Sequence, residues 1–311
     1  METPEIILSV SHLTKDYGSG RGVFDVSFDI RKGECFGYLG PNGAGKSTTI
    51  RHIMGFSKPD AGEIRVFDLE SWSKYHKILK RVGYVPGEIA LPYGLNGNQF
   101  LAIQKELFGD HDPERLKELM NRFELTEEML KIDTKKMSLG VKRKLAIVAA
   151  FMTDPDFLIL DEPTSGLDQK MQQVFIDYIR MEKERGKTIL LSSHIFSEVD
   201  AVCDRVAIIK DGKIVSSVTT SDLHNASFQT YRITFASLND LRTFRDECAG
   251  SIVQDDEEKL TLSFVEDDSN INSLLVTLSK YKIASFSNRK ESLQDYFMKF
   301  YNISKEFEGV Q

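Results

Sequence analysis

The stretch Gly40, Pro41, Asn42, Gly43, Ala44, Gly45, Lys46, Ser47 constrains this chain more than any other. It fits the spacing G-x-x-x-x-G-K-[S/T]. It also follows a short apolar run, Cys35–Leu39, that reads as a buried strand, and it opens Ser47–Met54, which reads as a helix. Glycines let the backbone curl so that successive N–H groups point inward, and the start of the helix adds the positive end of its dipole. The pattern predicts a loop that cradles a triphosphate. Lys46 would reach the β- and γ-phosphates, and the Ser47 hydroxyl oxygen would sit on Mg²⁺. A glycine turn that merely enters a helix is the weaker reading, because every required residue is present in the required context.

The rest of the chain supplies a sheet for that loop. Ile6–Val10 and Val26–Ile30 read as strands, and so do the short apolar runs Val82–Val85, Phe157–Leu160, Thr188–Leu191 and Arg205–Ile209. With helical patterns between several of them, the expected fold class is α/β with a mostly parallel sheet. Between Pro92 and Lys136 the pattern turns helical; Asp112 and Pro113 form an N-cap and first-turn pair. Asp211 and Gly212 mark a hairpin turn. The run ending in Asp161 and Glu162 places two adjacent carboxylates at a strand exit. Asp161 would hold Mg²⁺ and Glu162 would polarise an attacking water; the competing reading is a solvated strand edge.

A second unit starts near Ser221. Strands at Tyr231–Phe235, Ser251–Gln254, Leu260–Val265 and Lys282–Ser287, with helices at Leu238–Cys248 and Ile271–Tyr281, give the order βαββαβ of a small α+β, ferredoxin-like domain. A last helix, Glu291–Tyr301, carries Leu293, Phe297 and Phe300 on one side. The expected division is a cassette over 1–222, with a helical subdomain about 94–152, and an accessory domain over 223–311.

Charge and composition exclude several classes. Lys plus Arg is 40 and Asp plus Glu is 47, a net charge of −7, which argues against a nucleic-acid partner. No apolar run reaches the ~18 residues of a membrane span, and the acidic N-terminus does not read as a secretory signal. Cys35, Cys203 and Cys248 lack metal-site spacing and read as buried or spare thiols of a reducing compartment.

From about Ile7 to Leu223 the chain resembles the nucleotide-binding subunits of ATP-binding cassette (ABC) transporters. The motifs fall in the family order. Tyr17 matches the aromatic that stacks on adenine, Gly40–Thr48 the Walker A loop, Phe157–Asp161 the Walker B strand, and Glu162 the catalytic glutamate. Ser165–Asp168 match the D-loop, and His194 the switch histidine that touches the γ-phosphate. The stretch Met137, Ser138, Leu139, Gly140, Val141 resembles the signature motif, with Ser138 and Gly140 in agreement and Leu139 and Val141 departing from it. The resemblance implies an ABC-type P-loop NTPase fold with an antiparallel β subdomain, a helical subdomain that touches the membrane partner, and ATP and Mg²⁺ as ligands. Lys46, Glu162 and His194 would carry catalysis. Ser47 and Asp161 would hold the metal, and Ser138 and Gly140 would face the nucleotide of a second cassette in a head-to-tail pair.

One loop departs further. Gly87 stands where the family usually has the glutamine that touches the metal, and Glu88 is the nearest oxygen-bearing replacement, a metal ligand or a solvated loop residue. Gly87 would give the loop wide conformational freedom. This loop and the C-terminal extension are similar to single-cassette subunits of exporter-type (ABC-2-like) systems. The expected function is ATP hydrolysis driving a separate multi-span permease, with the chain peripheral on the inner face of the cell membrane. Two alternatives are a non-transport ABC-type ATPase of translation or repair, and a regulatory protein that holds ATP without turnover. Single-cassette length and the absence of sustained heptads weigh against the first, and intact Glu162 and His194 against the second.

Overall fold

The computed structural model describes residues 4–109, 112–224, 228–248, 250–267 and 270–290, together with Leu293 and Phe297. The chain divides into two compact units between Val218 and Thr219.

In chain order the first unit runs β1 (Ile6–Asp16), β2 (Gly22–Arg31), β3 (Cys35–Leu39), α1 (Lys46–Ile53), β4 (Ala61–Val66), β5 (Leu69–Glu70), α2 (Ser71–Ile78) and β6 (Val82–Val85). Four helices follow: α3 (Gly97–Phe108), α4 (Pro113–Arg122), α5 (Glu127–Lys131) and α6 (Leu139–Phe151). The unit closes with β7 (Phe157–Asp161), α7 (Gln169–Glu184), β8 (Thr188–Ser193), α8 (Phe196–Val202), β9 (Arg205–Lys210) and β10 (Lys213–Thr219). Two sheets result. One has the order β2-β1-β4-β5 with antiparallel neighbours. The other has the order β10-β9-β3-β8-β7-β6, parallel from β9 to β6.

The residues explain the difference between the sheets. Strands β3, β7 and β8 are buried at every position, the mark of a parallel sheet covered on both faces. In β4 only Ile64 and Val66 are buried, so one face packs inward. One apolar core joins both sheets: Leu8, Val26 and Ile64 of the antiparallel sheet meet Phe36, Phe157 and Leu190 of the parallel one. Ile50 and Ile53 of α1 belong to the same core, which wedges α1 in place and fixes Lys46 at its first turn.

Helices α3 to α5 form an insertion whose ends are tied together. Asn96 bridges Asp133, the Thr134 N–H donates to Leu95 O at 2.9 Å, and the Thr134 hydroxyl donates to Pro92 O at 2.7 Å. The α3 start carries a reciprocal cap between Asn96 and Gln99, and α4 starts at Pro113 behind an Asp112 cap.

The second unit opens on α9 (Thr220–His224) and continues β11 (Phe228–Phe235), α10 (Leu238–Glu247), β12 (Ser251–Asp256), β13 (Thr261–Asp267), α11 (Ile271–Leu278) and β14 (Ile283–Lys290). Its sheet has the order β12-β13-β11-β14 with antiparallel neighbours, a split β-α-β arrangement. Tyr231, Phe235 and Phe264 pack with Leu241 and Phe244 of α10 and with Leu274 and Leu278 of α11 in a core of its own. Of the expected last helix, Leu293 and Phe297 are buried; Phe300 and the rest lie outside the described residues.

Candidate functional site

The loop from Gly40 to Ser47 joins β3 to α1. Gly45 caps α1 with φ 110°, a conformation that only glycine adopts without strain, and a side chain there would collide with Val23. The Lys46 ammonium is 4% exposed and donates to Gly40 O at 2.7 Å and Pro41 O at 3.1 Å. The hairpin between β9 and β10 clamps the loop from the other side: Gly212 N–H donates to Ala44 O at 3.0 Å.

Two carboxylates face it from the end of β7. Asp161 is 2% exposed and accepts a short hydrogen bond from the Ser192 hydroxyl of the neighbouring strand. Glu162, one residue on, has φ 45°, a left-handed conformation that a non-glycine residue holds only under outside constraint. The constraint is visible: its N–H donates to Ser192 O at 3.1 Å. This turn sends the Glu162 carboxylate back over the loop. One oxygen lies 3.0 Å from Lys46 Nζ and the other 3.4 Å from His194 Nδ1. At 3.4 Å the histidine contact is electrostatic more than a formed hydrogen bond. His194 and, after it, Lys46 hold the Glu162 carboxyl down to about 2, against the opposing effect of burial. Glu162 in turn raises the His194 imidazole above its ordinary value.

Lys46, Asp161 and Glu162 border a cleft of about 850 Å³; His194 does not line it and is tied to it through Glu162. Tyr17, Asn42, Gly43, Gly45, Lys46, Ser47, Thr48, Glu88, Asp161 and Glu162 line it. Gly40, Pro41 and Ala44 do not; they lie beneath, offering carbonyl oxygens to Lys46 and to Gly212. Tyr17 is 52% exposed, and the Lys15 ammonium lies 5.9 Å from its ring centre. Ser138 and Gly140 are not on this cleft. Ser138 caps α6 instead, its hydroxyl accepting from Val141 N–H at 3.3 Å, and Leu139 begins the helix without a positive φ.

Residues 23–165 match the family described as ABC transporter. Over 303 residues the chain is 31% identical to the bacitracin transport ATP-binding protein BcrA of Bacillus licheniformis, spanning 94% of this chain and 96% of that one. The chain belongs to the ABC transporter ATP-binding proteins. It is also 37% identical over 221 residues to the linearmycin resistance ATP-binding protein LnrL of Bacillus subtilis, over 70% of each chain. A solved ATP-binding subunit of an ABC transporter shares the fold with a TM-score of 0.63 at 30% identity, covering 70% of this chain and 92% of that one. A dimeric ATP-binding cassette bound to ADP and Pi matches with a TM-score of 0.62 at 24% identity, likewise in fold. The protein is thus an ATPase of the ABC cassette type.

One feature of the cassette differs from the sequence reading. Gly87 does not adopt a left-handed backbone, so conformational freedom is not what the position uses. A side-chain carbon there would lie 3.0 Å from the Asp161 carboxylate, so glycine permits the loop to lie against Asp161. The thiols of Cys35 and Cys203 are buried, as the sequence reading has them, with their sulfurs 3.7 Å apart. Sequence reasoning also missed Arg51 and Tyr84 on the cleft wall, and Arg143 behind it. Arg143 sits five residues after Ser138 in a helix that otherwise reads as core, and no spacing rule marks it.

Proposed function

We propose that this cassette drives a separate multi-span permease of the export type, as one half of a head-to-tail pair of cassettes. One observation carries the pairing. Lys46, Asp161 and Glu162 converge on one cleft, with His194 paired to Glu162, while Ser138 and Gly140, at the start of a second helix, stand away from it. A helix N-terminus is suited to an anion, and a second copy would bring it to the γ-phosphate. Relatives named for bacitracin transport, linearmycin resistance and Nod factor export support the export reading.

Within the cleft the roles follow from the contacts. Lys46 binds the β- and γ-phosphates, the backbone of 43–48 wraps them, and Tyr17 stacks on the base. Phosphate oxygens compete with Glu162 for Lys46 and His194. Once those cations turn to phosphate, the Glu162 carboxyl loses what holds it near 2 and becomes a better base for the attacking water. The donor set fits Mg²⁺, which typically takes one or two protein oxygens plus phosphates and water. Ser47 and Asp161 supply such oxygens, with Glu88 on the outer wall as a third, weaker candidate. The ion would neutralise phosphate charge.

The permease would meet the helical insertion. Phe56, Tyr84, Ile89, Leu91, Phe100 and Leu107 border an apolar groove of about 260 Å³ beside the 86–91 loop. A short helix of the permease seated there would press on the loop that touches Asp161 and hold the chain at the inner face of the membrane.

A mixing experiment tests the pairing. Lys46→Ala and Ser138→Arg each spoil both composite sites of a homodimer. A mixed dimer keeps one site intact, with Lys46 from one copy and Ser138 from the other. Mixing the two inactive variants should restore up to about a quarter of wild-type turnover; no recovery, with dimers present, would refute the composite site.

A further inference from the structure

Arg143 is the largest fully buried side chain of the described residues, at 1% exposure, and its hydrogen bonds go to backbone carbonyls. Nε donates to Ser165 O at 2.9 Å, Nη1 to Pro86 O at 2.7 Å, and Nη2 to Gly87 O at 2.7 Å. Burial pulls the guanidinium below its ordinary value, and the nearby charges of Asp161 and Glu162 work against that loss. A buried cation held by carbonyl dipoles from two separate loops costs desolvation that packing alone would avoid. Only a guanidinium fork spans three acceptors in fixed directions; an ammonium is a point charge.

The three carbonyls join three parts of the ATPase site. Gly87 lies against Asp161, the expected metal ligand. Ser165 begins the turn that follows Glu162, and a side chain at Gly166 would meet Leu139 at 2.9 Å. Leu139 is the first residue of α6, directly after Ser138. The turn at 165–167 therefore rests on the end of α6 that faces outward from this cleft, and Arg143, one turn further along α6, ties both to the loop at Asp161.

We propose that Arg143 is a positioning residue that links the Ser138 end of α6 and the 165–167 turn to the Pro86–Gly87 loop, and so sets the rate of hydrolysis without setting ATP affinity. Contact made at Ser138 by a second copy would then be felt at Asp161 of this chain. The Arg143 hydrogen bonds go to Ser165, Pro86 and Gly87 and not to Lys46 or the phosphate loop, so its removal should leave the loop in place. The inference rests on the ATPase reading of the cleft.

The test uses the full chain. For Arg143→Lys and Arg143→Gln, the Kd for a non-hydrolysable ATP analogue should stay within about threefold of wild type while kcat falls ~10–100-fold, the scale of a misplaced catalytic group. Gly87→Ala should lower kcat in the same way, by pushing the loop off Asp161. Combining Gly87→Ala with Arg143→Lys should cost little beyond either alone, because both release one contact. A folded Arg143→Lys with wild-type kcat, a parallel loss of affinity and rate, or multiplying effects in the double variant would overturn the proposal. If neither Arg143 variant folds, hydrogen exchange in Gly87→Ala decides: faster exchange at 165–167 supports the link through Arg143, and unchanged exchange there overturns it. A wild-type chain without turnover would fail the ATPase reading itself, an outcome separate from these.

Discussion

Replacing Glu162 by glutamine should make the cassette bind ATP more tightly while it stops turning over. Glu162 and the γ-phosphate compete for the same cations: its carboxylate lies 3.0 Å from Lys46 and 3.4 Å from His194. Moving a carboxyl from 4.5 to about 2 corresponds to roughly 3 kcal/mol of preference for the charged form. Water reaches 21% of the side chain, and screening brings the working figure to about 1.5–2 kcal/mol. His194 and Lys46 share that figure, and an even split assigns about 1 kcal/mol to Lys46. ATP must displace that contact in the wild type and not in Glu162→Gln, so affinity should rise about fivefold. The sign follows from the lowered carboxyl: the competition operates where Glu162 is charged, is full above about 4.5, and fades as pH falls through about 2. Calorimetric titration with a non-hydrolysable ATP analogue at pH 7 reads the difference directly. Equal or weaker binding by Glu162→Gln would show that Glu162 does not hold Lys46 against phosphate, and the charge account of the site would fail.

Three further outcomes follow from the same geometry. The pairing of His194 with Glu162 raises the imidazole, so its contribution is present below the ordinary histidine value of about 6.5 and is lost as pH rises through the higher folded value; thermal melts of His194→Ala should lag wild type at pH 5.5 and converge with it near pH 9, and kcat should fall ~10²-fold. Gly87→Gln restores the family side chain but places a carbon 3.0 Å from the Asp161 carboxylate, so steady-state ATPase should fall, not rise, with the ATP Kd within about threefold; a gain in turnover would show that the loop yields freely. A chain ending at Val218 should keep ATP affinity within about threefold by calorimetry, because every cleft residue lies in the first unit; loss of binding in a folded chain would show that the two units are not separable.

Much of the site was legible because phosphate binding demands residue types at fixed spacing. Gly40 to Thr48 follow a strand that is buried on both faces, and the sequence pattern marks β3, β6 and β7 within a residue of their ends. Asp161 and Glu162 could be named from their place at a strand exit. What could not be read was the turn that aims them: the positive φ of Glu162 is imposed by Ser192, thirty residues away, and no local pattern encodes it. The antiparallel sheet was only half visible. Ile6–Val10 is the start of a strand that runs to Asp16, and β4 carries just two buried residues, Ile64 and Val66, too few to stand out from a loop. Arg143 was illegible for another reason. Its partners are backbone carbonyls, which every residue carries, so its role exists only once the loops at 86–87 and 165 are brought together.

The most direct test of the central claim is phosphate release from Mg²⁺·ATP by the purified chain, wild type beside Glu162→Gln, at protein concentrations that allow pairing. Wild type should release phosphate in a Mg²⁺-dependent reaction, and Glu162→Gln should bind ATP and release it ~10²-fold or more slowly, the scale of a lost general base. Turnover of Glu162→Gln at the wild-type rate would contradict the assignment of this cleft and of its carboxylate.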